Sequence, residues 1–171
     1  MSVKEVKKRS FSIMDSPWGC LEIEYSEKGI YALRKKEQKF RQKESKNQKE
    51  PCFVSECRRQ LKSYFKEAKT NLFSELDMDY SDYTVFQRRV LSELRKVRAG
   101  VTISYEELAL KSGAPKGARA IGHVMSLNRT PIILPCHRVV RKNGEMGGFA
   151  YGIEWKKKLL KHEGIVISNE I

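Results

Sequence analysis

Residues 101 to 128 read VTISYEELALKSGAPKGARAIGHVMSLN. Thr102 or Ser104 can cap a helix whose early Glu106 and Glu107 suit the positive end of its peptide dipoles. Ser112-Gly113-Ala114-Pro115 is turn chemistry, and Pro115 is placed to open a second helix that runs to about Leu127. Two short helices joined by a glycine-bearing turn predict a helix-turn-helix. In the second helix Ala118, Ile121, Val124 and Met125 fall on the inward side, and Lys116, Arg119 and His123 fall together on the outward side. A basic outward stripe on the second helix suits a nucleic-acid reader. An ordinary helical hairpin with a solvated lysine and arginine gives the same pattern.

The neighbouring segments set the fold class. VFQRRVLSELRKV (85–97) places Val85, Phe86, Val90, Leu91, Leu94 and Val97 on one helical face, with Ala99-Gly100 as its stop. IEWKKKLLKHEGI (153–165) predicts a closing amphipathic helix with Ile153, Leu159 and Leu160 inward and Gly164 as its stop. Between them, Ile132–Leu134 is a short buried run and RKNGEMGGFAYG (141–152) a glycine-rich loop. The first third differs. FSIMDSPWGCLEIEYSEKGIYALRK (11–35) alternates in places and carries turn residues at Asp15–Gly19 and Lys28-Gly29, which predicts two or three short antiparallel strands. FVSECRRQLKSYFKEA (53–68) has Phe53, Cys57, Leu61, Tyr64 and Phe65 at helical spacing. The expected class is α+β: a small N-terminal antiparallel sheet with a helix over residues 1–80, then a helical domain over 81–171 that holds the helix-turn-helix and Cys136.

The totals fit such an arrangement. A chain of 171 residues, 40% of them apolar, can build its core without staples. No apolar run is long enough for a membrane span or a secretory signal, so the expected location is intracellular: cytoplasmic, or nuclear in a eukaryote. The four cysteines should then be reduced. The net charge of +13 favours a polyanionic partner. Part of it is local, because Arg34 to Lys49 holds eight bases and two acids and reads as a solvated loop over 34–50.

LPCHRVV (134–140) sets Cys136 beside His137. The pair could activate a thiol, bind a metal, or fill a corner of the core. Metal-ligand spacing is absent among the cysteines and the histidines at 123, 137 and 162, so neither a metal nor a cofactor is expected. For catalysis the attacking species is the thiolate, and a free thiol near pKa ~8.5 is only slightly ionised at neutral pH. Neighbours in extended chain point to opposite faces, so His137 would reach Cys136 through a bridging water unless the chain turns sharply. Glu163 in KHEG is a distant candidate to fix the imidazole tautomer. The expectation is a sulfur anion held in a dry slot.

Taken together, PCHRV (135–139), ISYEELA (103–109), PKGARAIG (115–122), the break at Asn128–Pro131 and LLKHEG (159–164) resemble, in order and spacing, the O6-alkylguanine-DNA alkyltransferase family. The likeness is continuous from about Val85 to Ile165, and DSPWG (15–19) extends it more weakly to the sheet. It implies irreversible transfer of the alkyl group from a flipped-out O6-alkylguanine to Cys136, one turnover per chain, with His137 drawing the proton through a water and Glu163 orienting it. Asn128 would tie the second helix to the active-site turn. Tyr105, Arg119, Lys116, Gly117, Ala118 and Gln87 would contact DNA, with Arg119 filling the hole left by the extruded base and Tyr105 pressing on phosphate and helping to protonate the leaving base. Met125, Val139, Phe149 and Ala150 would line the pocket, and Lys156 would hold its loop.

The implied partner is double-stranded DNA bound through the minor groove by a monomer, with O4-alkylthymine as a further candidate lesion. The sequence departs from the family pattern at GGFAYGIE (147–154), where an aromatic followed by serine and paired glycines is usual; Ala150 lacks the hydroxyl and Tyr151 stands at a place often held by glycine. Three rival readings remain at this level: a lesion sensor without transfer, a helix-turn-helix regulator, and a cysteine hydrolase.

Overall fold

The computed structural model describes residues 9–36, 50–68 and 72–166. Three strands come first, β1 (Ser10–Ser16), β2 (Gly19–Ser26) and β3 (Gly29–Lys36), antiparallel in the order β1-β2-β3. The first hairpin is closed by Ser16, whose hydroxyl donates to the Gly19 carbonyl at 2.6 Å and accepts from Trp18 N at 3.3 Å. At Gly29, with φ +136°, a β-carbon would lie 2.5 Å from the Asp77 backbone, so only glycine allows the close approach of that segment. Asp77 and Asp79 then bond Ile30 at 2.8 Å each, and Leu33 N donates to the Arg129 carbonyl at 2.8 Å, which closes the outer edge of β3. Arg34, Lys35 and Lys36 belong to β3, whereas the sequence assigns them to the lysine-rich loop; strand pairing with Cys20–Glu22 extends the ladder that far. The remainder of that loop, 37–49, lies outside the described residues.

Helix α1 (Cys52–Lys66) buries Val54, Cys57, Leu61, Tyr64 and Phe65. They pack with Met14, Leu21, Ile23, Ile30 and Leu33 of the sheet. Each such apolar side chain removed from water contributes about 1.5–3 kcal/mol. The same core also takes Ile132, Ile133, Trp155 and Leu159 from the far end of the chain.

Helix α2 (Val85–Arg95) starts at Thr84, which shares a reciprocal capping box with Gln87. Val90, Leu91 and Leu94 face inward, but Val85 is 74% exposed, because the first helical residue precedes the turn at which the apolar stripe meets the core. The helix stops at Arg95, before Val97 and Ala99-Gly100. A two-residue strand β4 (Ile103–Ser104) leads into α3 (Tyr105–Lys111), and Ser104, rather than Thr102, is the cap, boxed with Glu107. Helix α4 (Ala118–Ser126) begins three residues later than Pro115 predicts. Pro115 and Lys116 are spent on the turn: Lys116 has φ +72°, and Gly117 N bonds the Ala114 carbonyl at 2.8 Å. Helices α2, α3 and α4 enclose the second core, which runs from Tyr83 and Val90 through Leu108, Ile121 and Val124 to Cys136 and Val139.

Helix α5 (Ile153–His162) buries Trp155, Lys156, Leu159 and Leu160. Ile153, expected inward, is 41% exposed, again as a first helical residue. Gly164, at φ +78°, ends the helix in a left-handed cap, with Ile165 N bonding the Leu160 carbonyl at 2.9 Å. No helix among the described residues is long and apolar enough to cross a membrane.

The break after α4 is fastened to the sheet by Arg129. Its guanidinium lies 4.0 Å from the Tyr31 ring centroid and 4.1 Å from that of Tyr83, and it donates to the Tyr31 hydroxyl at 2.7 Å and to Asp82 at 3.3 Å. Partly desolvated cation–π contacts of this kind are each worth about 0.5–2 kcal/mol.

Candidate active site

Cys136, His137 and Arg138 form one turn of 3-10 helix, entered through Pro135 and left through β5 (Val139–Val140). The chain does turn sharply here, so the alternation of extended backbone does not apply. Strand β5 pairs in parallel with β4, Ile103 with Val139 and Ser104 with Val140, which sets the first turn of α3, and with it Tyr105, beside the cysteine turn. A pair of two-residue strands leaves no periodic signal in sequence.

The Cys136 side chain is buried. Burial pushes its thiol up to about 11, against the opposing hydrogen bond from Asn128 and the nearby charge of Lys156. The resting sulfur is therefore a neutral thiol, not the anion expected from sequence, and a base must take its proton during reaction. The thiolate absorbance of Cys136, read as the difference between wild type and Cys136→Ser, is expected to appear only as pH rises toward about 11; thiolate already present by pH ~8, the ordinary thiol range, would contradict a neutral resting sulfur. Asn128 holds the approach to the turn. Its Nδ2 donates to the Leu134 carbonyl at 2.8 Å, and its Oδ1 accepts from Thr130 N at 3.0 Å.

Behind the sulfur stands a closed polar cluster. His137 Nε2 lies 2.7 Å from Glu163 Oε1, and both side chains are fully buried. Arg138 grips the same carboxylate with two bonds, Nη2 to Oε1 at 2.8 Å and Nε to Oε2 at 2.9 Å, and its Nη1 donates to the Val97 carbonyl. The Tyr64 hydroxyl donates to Oε1 at 2.7 Å. Burial alone would raise the Glu163 carboxyl, but the hydrogen bonds from His137 and Arg138 and their charges hold it well below the usual carboxylate range. An ionised carboxylate only accepts, so Nε2 carries the imidazole proton and Nδ1 keeps its lone pair. Nδ1 is buried and has no hydrogen-bond partner among the described residues. Burial lowers the His137 pKa, which keeps the ring neutral and ready to accept.

The pocket above the sulfur has a volume of about 240 Å³. Tyr105, Gly122, Met125 and Ser126 line it together with Cys136, Gly148, Phe149 and Ala150. Of the five residues implied for it, Met125, Phe149 and Ala150 are in the lining, and Val139 and Lys156 are not. Val139 is packed in the second core. Lys156, 0% exposed, reaches under the loop and donates to the Val139 carbonyl at 2.7 Å and to Gly147 O at 3.3 Å. Burial drops its ammonium to about 8. Gly122 and Ser126 were not singled out from sequence, although they lie three before and one after Met125 on the same helical face. Gly147 leaves room for the Tyr105 hydroxyl, which a β-carbon there would strike. Tyr151 donates to the Leu33 carbonyl at 2.6 Å and stacks edgewise on Phe149 and Trp155, tying the loop to β3.

Outside, Arg119 and His123 are exposed on α4, and Lys116, expected on the same helix, is exposed in the turn that precedes it. Ala118 is only half-buried rather than inward, since α4 starts with it. Gly117 has a local reason to be glycine: a β-carbon would sit 2.7 Å from the Ala114 carbonyl. Gln87 is half-buried and its side-chain oxygen accepts from Thr84 N at 2.9 Å, which leaves only its amide NH₂ free of the cap.

Fold and site together define a protein whose one reactive-site thiol lines a small pocket, backed by a carboxylate-held imidazole, with Lys116 and Arg119 exposed at the start of the neighbouring helix. The chain belongs to the 6-O-methylguanine DNA methyltransferase family, whose DNA binding domain matches residues 85–165 and whose ribonuclease-like domain matches residues 10–79. It is 35% identical to the methylated-DNA–protein-cysteine methyltransferase of Mus musculus, covering 94% of this chain and 84% of that protein. With the protein of that name from Homo sapiens it shares 34% identity, over 88% of this chain and 78% of the human protein. Among solved structures it is similar to the O6-methylguanine methyltransferase of Mycobacterium tuberculosis, with TM-score 0.74 and 33% identity over 91% of this chain and 93% of that one. The mycobacterial protein in complex with DNA aligns with TM-score 0.73 and 34% identity, over 90% and 91% of the two chains.

Proposed function

We propose that this chain repairs DNA carrying O6-alkylguanine by moving the alkyl group onto its own Cys136, once per molecule. The observation that carries the reading is a buried thiol in the lining of a pocket, with an unpartnered imidazole nitrogen in the same turn as its base. The thiol proton passes to His137 Nδ1, by way of a water. The sulfur attacks the alkyl carbon in line, an S–C bond forms, and the C–O6 bond breaks with its electron pair going to guanine. Guanine then takes up a proton that Tyr105 helps to deliver, so the thiol proton ends, in net terms, on the restored base. A thioether offers no good leaving group, so the protein is spent.

An alkyl group on a paired base cannot reach a sulfur below a pocket wall, so the nucleotide must be extruded, at a cost of a few kcal/mol. Helices α3 and α4 act as a helix-turn-helix that enters the minor groove, with Lys116, Gly117, Ala118 and Gln87 beside the backbone and Arg119 stacked in the vacated space. Contacts of this kind are mostly to phosphate and nearly blind to sequence. The protein works as a monomer, and O4-alkylthymine is a second candidate lesion.

Duplex carrying labelled O6-methylguanine tests the reading. One label per chain, found at Cys136 by mass, supports it. Continued release of labelled product would mean hydrolysis, and binding without label would mean a sensor or a regulator. Arg119→Ala is expected to slow repair in duplex by roughly 30-fold, about 2 kcal/mol of lost support for the extruded state. Reaction with free O6-benzylguanine should stay within about twofold, because no base is extruded. Equal losses on both substrates would remove Arg119 from the extrusion step.

A further inference from the structure

We infer that Tyr64, contributed by α1 of the N-terminal half, is a positioning residue of the transfer reaction, its hydroxyl fixing the one carboxylate oxygen that holds His137. The inference rests on the functional reading above and adds a group from outside the cysteine-bearing half to its machinery. Tyr64 and Glu163 are 99 residues apart in sequence, and their bond is 2.7 Å long and buried. It meets Oε1, the same atom that lies 2.7 Å from His137 Nε2.

The hydroxyl is what sets this residue apart from packing. The ring contacts of Tyr64, edgewise on Phe65 and His162 and tilted on Phe73, would be made equally by phenylalanine. A buried hydroxyl must find an acceptor, and Glu163 is the acceptor it meets. Two effects follow. Oε1 takes donors from Tyr64, His137 and Arg138, so rotating the carboxylate would break all three bonds at once. The tyrosine proton also draws off charge that would otherwise stabilise an imidazolium, which keeps His137 neutral.

The charged and titratable groups around this carboxylate come from every neighbour. His137 and Arg138 face it from the cysteine turn, and Gly100 N faces Oε2 at 3.4 Å from the loop before β4. From α5, the Lys156 charge acts on His137, and His162 Nε2 meets the Tyr64 carbonyl at 2.6 Å. Arg138 and Lys156 oppose protonation of His137 and Glu163 favours it. Removing the tyrosine proton therefore shifts the balance toward imidazolium.

The test is the single-turnover rate of methyl transfer to Cys136 from a saturating O6-methylguanine duplex, followed by mass between about pH 5 and 9, the range in which a histidine titrates. Full-length wild type is compared with Tyr64→Phe. The variant is expected to lose roughly five- to tenfold in plateau rate, the worth of one ordinary intramolecular hydrogen bond. The acid limb of its profile should also move to higher pH. A wild-type rate and limb, or a uniform fall with the limb unmoved, would overturn the inference and leave Tyr64 as packing. 3-Fluorotyrosine installed at position 64 keeps shape and bond while strengthening the donor, so its limb should move to lower pH; a limb moving upward or staying put overturns the inference even if Tyr64→Phe fails to fold. A wild-type protein that acquires no methyl group at any pH would instead sink the transfer reading itself.

Discussion

Replacing Cys136 with alanine is expected to abolish alkyl acceptance altogether while duplex affinity stays within about twofold, since the proposed phosphate contacts do not involve Cys136. No other cysteine is placed to substitute. Cys20 and Cys57 are buried in or beside the first core, burial pushes the Cys57 thiol up to about 12, and Cys52 is exposed at the start of α1, none of them in the pocket lining. The check is intact mass after incubation with O6-methylguanine duplex, beside a gel-shift titration. A methyl group on the variant, at any residue, would show that the acceptor has been misplaced. Loss of binding together with transfer would mean that Cys136 shapes the DNA surface as well.

Glu163→Gln is expected to cost about 3–5 kcal/mol of stability, because it leaves the buried Arg138 guanidinium without its counter-charge. It should also slow transfer by roughly 10²-fold, as His137 loses the carboxylate charge that supports the imidazolium formed when it takes the thiol proton. The sign with pH follows from the depressed carboxyl. A group held below its ordinary value of 4.5 stabilises the fold above that value, and the contribution is lost as pH falls from there through the folded value. Urea melts of wild type and variant should therefore differ most near neutrality and converge as the solution is acidified below about 4.5. A constant gap across that range would place the stabilisation elsewhere than in the ionised carboxylate.

Local chemistry was legible in the sequence where it is local in the fold. The turn residues at Ser16–Gly19 and Gly29, the apolar face of α1, and the acidic first turn of α3 at Glu106 and Glu107 all act within a few residues of themselves, and the corresponding elements form. The errors lie where a short-range rule met a longer-range demand. Pro115 is a good first helical residue, yet the chain needs Lys116 in a left-handed conformation to bring α4 back over α3, so the helix waits for Ala118. Val85 and Ile153 fit an apolar stripe by spacing, but first-turn positions project past the core. The cluster around Glu163 shows the deeper limit. The Cys-His pair and the KHEG segment pointed to His137 and Glu163, but Tyr64 and Arg138 gave no sign, because spacing says nothing about a tyrosine 99 residues away or about which way an arginine in a buried turn points. Lys156 makes the same point: nothing in WKKKLL marks one lysine of three as wholly enclosed.

The sharing of the first core has a consequence for how the chain is made. Strands, α1 and their turns emerge from the ribosome early, but the apolar surface they present is not covered until Ile132, Ile133, Trp155 and Leu159 arrive. Until those residues are made, the nascent protein must therefore carry an unfinished hydrophobic face. A molecule that the proposed reaction consumes would thus pass, in each new copy, through that exposed interval.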